Sequence, residues 1–440
     1  MKNYKTALVA VLILFQLLGW YTFVKSVGRE TFGIQSQISQ AHAYVEAGLY
    51  QKAIDECGDI LSIKEEKEVR LYQLEAYLLL YGQNGYSSLR REIVSAIDTF
   101  ISMYPSAPEG YELAASFQYN QLKDTEKTIV FLRRAEAKDI QTEKLAGLWQ
   151  AVQYAYKLKG VRFSSVGEWF SLASAVESDT TYGYVTANGK TLLRNQYTYA
   201  GPLFNNLAMV KTADETILIN GEGTAQVILD NRYLSAGIYN NGLLPVETKE
   251  GYAYIDASGA ERHGGYNFAG TMLRGNAMVQ KNGQWSVVDT AGNVVAQTEF
   301  EDVVLDFVGC YSQFASFPAM KNGVYGLYNP ETFEAVSTFT CNAIDPFYAD
   351  GIAAFEKNGK WGFVDAGGTV VIEPQYEAAR SFSNGYAAVC QNGKWGFINT
   401  GNQLLVDYTF QDARYFNSGG TCWVNTGRGW DIFYFLVNEV

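Results

Sequence analysis

The hydrophobic pattern changes twice along the chain, and each regime predicts a different kind of element. After Met1-Lys2-Asn3-Tyr4-Lys5-Thr6, the stretch from Ala7 to Val24 carries no charge. As a helix rising about 1.5 Å per residue it would reach about 27 Å, close to the ~30 Å hydrocarbon core of a bilayer. From Ile34 to Gly160 apolar residues recur at helical spacing, which predicts helices over 71–81, 93–103, 109–122, 128–137 and 143–158. Beyond Gly160 the rhythm becomes that of short strands. Asn-Gly and Asp-x-x-Gly turns separate runs such as Ala387-Ala388-Val389 and Trp395-Gly396-Phe397-Ile398.

The first regime reads as a transmembrane signal anchor over 7–24 preceded by a cytoplasmic tail, 1–6. Trp20 and Tyr21 sit where amphipathic rings favour the membrane interface, and Lys25 and Arg29 end the apolar run. A cleaved signal peptide is the competing reading, but no small-residue cleavage pattern precedes Lys25. Lys2 and Lys5 favour a cytoplasmic N-terminus, so a cell-membrane, single-pass protein with extracytoplasmic C-terminal domains is expected.

In the helical segment, 32–159, the clearest unit runs from Ala41 to Ile54. Small residues at 41 and 53 let two helices approach, Gly48 permits the turn, and Tyr44, Tyr50 and Ile60 fill the interface. This spacing resembles the tetratricopeptide repeat. Tyr104-Pro105 resembles a repeat-ending break. Stacked helical hairpins of this kind leave a concave groove or serve as a spacer.

The region 160–440 is repetitive. Tyr182, Thr216, Tyr252, Trp285, Tyr325, Trp361, Trp395 and Trp430 share one position, at intervals of 34, 36, 33, 40, 36, 34 and 35 residues. An apolar residue lies six positions earlier in seven copies, from Val176 to Val424, and a Gly-containing turn lies four before that in five. The longest interval carries an insertion near 305–317. Each unit therefore holds three or four short strands. Trp361-Gly362 and Trp395-Gly396 lie in the clearest copies, and the motifs resemble the WG repeat family of tandem β-rich arrays. That resemblance implies an interaction or envelope-associated role and supplies no catalytic residues.

Units of this size must stack to bury their apolar faces. Two forms satisfy that: a propeller with one sheet per unit, for which eight units fall in range, or an open β-solenoid. The last unit stops ten residues after Trp430, and a closed ring would let the N-terminal strand near Phe163 complete its sheet.

Composition then narrows the chemistry. Lys+Arg total 34 against 46 Asp+Glu, a net charge of −12 with no basic run, so nucleic acid is not expected as a partner. His42 and His263 are the two histidines and lie in unlike segments, which argues against a His-built metal site or triad. Cys57, Cys310, Cys341, Cys390 and Cys422 share no motif spacing and read as small apolar residues. The repeated Asp256, Asp289 and Asp365 offer one carboxylate per turn, which suits turn geometry better than calcium. No catalytic, cofactor or metal residue is assigned, and the signature residues Tyr182, Tyr252, Trp285, Tyr325, Trp361, Gly362, Trp395, Gly396 and Trp430 are read as structural. The expected function is non-enzymatic protein–protein interaction or scaffolding at the bacterial envelope, with membrane attachment through 7–24. The alternatives are a cell-wall glycan or peptidoglycan binder using exposed aromatics, and an envelope-polymer hydrolase with a loop-built site.

On intact cells carrying tags at both ends, external protease is expected to remove the C-terminal tag and leave a small membrane-bound N-terminal fragment. A protected C-terminal tag would reverse the orientation.

Overall fold

The computed structural model describes residues 33–85, 87–169, 173–178 and 180–438, so the proposed anchor at 7–24 lies outside them. Among the described residues no helix is long and apolar enough to cross a membrane. The chain divides into two compact units, Met1–Gln153 and Tyr154–Val440.

The first unit has seven helices among its described residues. They are α1 (33–46), α2 (Tyr50–Ile63), α3 (Lys67–Asn84), α4 (Ser87–Met103), α5 (Pro108–Ser116), α6 (Thr125–Glu136) and α7 (Glu143–Val152). Gly48 takes the left-handed conformation between α1 and α2, at φ +72°. Ala41, Ala53 and Ile60 are buried as the small-residue spacing requires, and Tyr44 packs beside Ala53. A π-helical turn, Phe117–Gln121, extends α5. Pro105 follows the end of α4, and Pro108 opens α5 where its missing N–H costs no hydrogen bond.

The second unit is an eight-bladed β-propeller, not an open solenoid. Seven blades are formed in chain order. Blade 1 holds Ser165–Val166, Ala173–Ser178, Thr181–Thr186 and Thr191–Tyr197. Blades 2, 3 and 4 open at Tyr199–Ala200, Ser235–Ala236 and Phe268–Ala269. Blade 5 has three strands, Asp302–Val303, Phe317–Lys321 and Val324–Tyr328. Blades 6 and 7 open at Ala343–Ile344 and Ala378–Ala379. Each four-stranded blade among these runs from a short inner strand to a largely exposed outer one. The insertion predicted near 305–317 links the first two strands of blade 5.

Blade 8 closes the ring. Its strands Asp412–Phe416, Thr421–Asn425 and Trp430–Phe435 come from the end of the chain, and Tyr156–Leu158 supplies the fourth. Tyr156 pairs with Phe435 and Leu158 with Phe433, and a further bridge joins Phe163 to Trp430. The helix expected over 143–158 therefore ends at Val152, because pairing with an open sheet edge overrides the local helical pattern. The compact units meet at Gln153/Tyr154, a little ahead of the 159/160 boundary expected from sequence. Asp431 secures the incoming chain: its carboxylate accepts from the N–H groups of Gly160 at 3.0 Å and Val161 at 3.1 Å.

Every large apolar cluster of the propeller is shared by two blades. Phe363, Ile372 and Tyr376 of blade 6 meet Phe382, Val389 and Ile398 of blade 7. The ring joint is built alike, with Val176 and Val185 of blade 1 against Trp423, Trp430 and Ile432 of blade 8.

The Gly after the signature Trp has a specific duty. Trp361 pairs with Tyr376 and Phe363 with Ile372, so three residues on one strand face five on the next. The excess forms a bulge over Gly362, where an added Cβ would lie 2.5 Å from the Ile372 carbonyl oxygen and 2.7 Å from Pro374 N. Gly396 is equally enclosed, 2.4 Å from the Val406 oxygen. Pro374 is thereby explained, because a bulge needs no ladder N–H. In blade 3 the Gly sits on the partner strand, where Gly264 faces Ala253.

Gly396→Ala is expected to destabilise the propeller by roughly 2–4 kcal/mol, read as an earlier unfolding midpoint in urea by tryptophan fluorescence. Gly82→Ala at an exposed position of α3, where nothing lies within 4 Å, should leave that transition in place.

Candidate functional site

The signature residues are distributed around the ring and do not converge on one site. Trp285 and Trp430 are buried, and Tyr182, Tyr252, Tyr325, Trp361 and Trp395 are half-buried against the inter-blade clusters. Gly362 and Gly396 are buried beneath the bulges. The turn aspartates cap their own loops: Asp365 Oδ1 accepts from Gly367 N at 2.9 Å and Thr369 N at 2.8 Å, and Asp289 does the same for Ala291 and Asn293. His42 packs on Tyr72, with ring centroids 3.7 Å apart, and His263 Nδ1 meets the Tyr266 hydroxyl at 3.0 Å. All five cysteines are buried and unpaired.

A different group of residues does converge. The position just after the inner-strand pair is Gly in blades 1 to 4: Gly167, Gly201, Gly237 and Gly270. In blades 6, 7 and 8 it is Asp345, Arg380 and Arg414. Tyr415 of blade 8 donates to Asp345 Oδ2 of blade 6 at 2.7 Å, passing over blade 7. Tyr348, after the inner strand of blade 6, donates to Glu168 Oε2 of blade 1 at 3.4 Å. Blades that are not neighbours meet only near the axis, so these residues lie at the mouth of the central channel.

The mouth combines stacked aromatic rings with charged groups. Phe307, from the blade 5 insertion, stacks on Tyr348 at 4.7 Å, and Tyr348 stacks on Tyr415 at 3.7 Å. Arg414 donates to Glu168 Oε1 at 3.4 Å, Arg380 approaches Asp412 at 3.7 Å, and Ser381 N donates to Asp345 at 2.9 Å. Two signature residues support this arrangement from behind. The Arg380 guanidinium lies 5.3 Å over the Trp395 ring, and that of Arg414 lies 5.2 Å over Trp430. Together these residues border a pocket of about 300 Å³ lined by Glu168, Trp169, Phe307, Tyr348, Asp350 and Tyr415, among others.

The electrostatics are incompletely balanced. Burial raises the Glu168 carboxyl above its usual range, and Arg414 and Arg380 pull it back only in part. Burial likewise raises Asp345 against the bonds from Ser381 and Tyr415. The Nε atoms of Arg380 and Arg414 and the indole nitrogen of Trp169 are buried without a hydrogen-bond partner among the described residues. Aligning the position after each inner strand would have revealed the run Asp345, Arg380, Arg414. It would not have revealed Glu168, Tyr348 or Phe307, which only ring closure and the insertion bring to the axis.

Residues 182–214, 325–361, 361–395 and 395–430 match the model of the WG containing repeat. No curated protein matches the chain. Among solved structures it is similar to PorZ, a bacterial surface component of the type-IX secretion system of Porphyromonas gingivalis. That match has 10% identity and a TM-score of 0.36, covering 63% of this chain and 46% of PorZ. It is also similar to Kluyveromyces lactis Hsv2 (9% identity, TM-score 0.38, 61% and 97% covered). A third is the Neurospora crassa Pan2 WD40 domain (11%, TM-score 0.34, 62% and 89% covered). The chain thus spans less than half the length of PorZ, and none of these likenesses is strong enough to transfer a function.

Asp306, beside Phe307, gives the mouth a pH-dependent element. Its Oδ1 accepts from Val308 N at 3.0 Å and Cys310 N at 2.8 Å, while its Oδ2 is buried without a partner. Burial pushes its carboxyl up to about 7 against the pull of the Cys310, Val308 and Gly309 N–H groups. The folded state therefore holds this proton more tightly than the unfolded chain. The stability it contributes is fully present below the ordinary value of 3.8 and is lost as pH rises through about 7. Asp306→Asn, which keeps the Oδ1 acceptor, is expected to raise the thermal midpoint at pH 8 and leave it unchanged at pH 3.

Proposed function

This chain is a WG repeat protein, and from that premise we propose that it is a non-enzymatic scaffold of the bacterial cell envelope. In this reading residues 7–24 anchor it in the membrane, and the helical unit and propeller lie outside the cytoplasm. A propeller of such repeats is an interaction platform, and the helical hairpins offer a second surface on the same tether. Binding one partner would then raise the effective concentration of the other.

The observation that carries the reading is the axial mouth. A ring that only needed to close would be served by alike blades, as in the glycines of blades 1 to 4. Blades 6 to 8 instead place charged groups and stacked aromatics around an open pocket. A concave pocket with a few convergent polar groups in a rigid frame is what recognition sites offer a partner. The packing of the signature aromatics between blades supports a protein partner over the glycan reading, which called on exposed rings.

Crosslinking the tagged full-length protein in cells, followed by affinity purification, is expected to recover a defined envelope protein. Retention by purified cell wall without any protein partner would favour the glycan reading. Breakdown of an envelope polymer, lost on substitution of one carboxylate, would make the protein an enzyme.

A further inference from the structure

Resting on that interaction reading, we propose that the axial pocket receives one basic side chain, arginine or lysine, from a loop of the partner protein. Three independent features lead there.

The first is charge. The formally charged side chains lining the pocket itself are Glu168 and Asp350. Around the mouth Glu168, Asp345, Asp350 and Asp412 stand against Arg380 and Arg414. Asp345 accepts from Ser381 N and the Tyr415 hydroxyl at Oδ2, at 2.9 and 2.7 Å, and Asp350 accepts the N–H groups of Asn384 and Gly385 at 3.1 and 2.7 Å. Glu168 is held more loosely, since its contacts to Tyr348 and Arg414 are both 3.4 Å long. A half-buried carboxylate held only at the far limit of hydrogen bonding favours a further cationic donor. The net charge of −12 on the whole chain favours a basic partner over an acidic one.

The second feature is the Trp169 side chain. It lines the pocket, is 8% exposed, and stacks flat on Trp423 at 4.8 Å, so its ring is a fixed aromatic surface against which a guanidinium or an alkyl stem can pack.

The third is shape. The Phe307–Tyr348–Tyr415 stack gives the pocket a flat wall, and guanidinium groups pack on aromatic faces, as Arg380 and Arg414 already do on Trp395 and Trp430 nearby. A volume of about 300 Å³ is at the lower limit for a ligand site and suits one side chain.

The test uses the full-length protein in detergent and a displayed library of random heptapeptides. Enriched sequences should share a central Arg or Lys and be displaced by N-acetyl-arginine methylamide but not by N-acetyl-glutamine methylamide. Glu168→Gln should weaken a selected peptide at least 10-fold, with an unchanged thermal midpoint showing that the ring has closed. The competition step needs only the wild-type protein, so it stands even if the variant misfolds. Peptides that bind without a basic residue, or that both methylamides leave in place, would overturn the pocket assignment while leaving the interaction reading standing. Binding of a cell-wall oligosaccharide that displaces no peptide and depends on Trp169, or no peptide binding at all, would overturn both.

Discussion

No blade of this propeller can bury its own two faces. A four-stranded sheet of short strands has one apolar surface on each side, and every large cluster in the domain is completed by residues of the next blade. Blades 1 and 8 would each keep an uncovered face if the ring stayed open. The joint at Val176, Val185, Trp423 and Ile432 is therefore a condition on the other seven interfaces, because an open ring leaves two apolar surfaces in water. Strand Tyr156–Leu158 and the Asp431 carboxylate hold that joint, and the axial mouth depends on it as well. Glu168 enters with blade 1 and Arg414 with blade 8, and they face each other only once the ring has closed.

Much of this architecture was legible in the sequence because repetition multiplies weak signals. The eight register positions from Tyr182 to Trp430 each fall at the start of the third strand of a blade, and the longest interval marks the insertion that carries Phe307. The tight turns at Asn241-Gly242 and Asn384-Gly385 adopt the paired positive φ angles that their residues allow. What the sequence concealed was non-local. Residues 156–158 follow a helical pattern, and only the free edge of Trp430–Phe435 makes them a strand. The mouth was harder still, since Glu168 and Tyr348 lie 180 positions apart and the Phe307 position has no counterpart in other repeats.

The signature pair itself performs two separate tasks. The Gly is required by a backbone approach, where a bulged outer strand crosses it too closely for a Cβ. The Trp fills the gap between blades and, in blades 7 and 8, provides the surface on which Arg380 and Arg414 rest. A residue retained for packing thereby sets the position of a charged group at the axis. The blades with Tyr182 or Tyr252 at this position have Gly at the mouth and no guanidinium to support.

Closure by a strand from the start of the domain also imposes an order in time. Gly160 and Asp431 are 271 positions apart, so a chain emerging residue by residue, from a ribosome or through a translocon, holds an unpaired strand until its last blade has appeared. For that whole interval the nascent domain is an arc with two sticky ends, able to join a neighbouring arc as readily as itself. Loss of even the final few turns of chain would leave every molecule in that state.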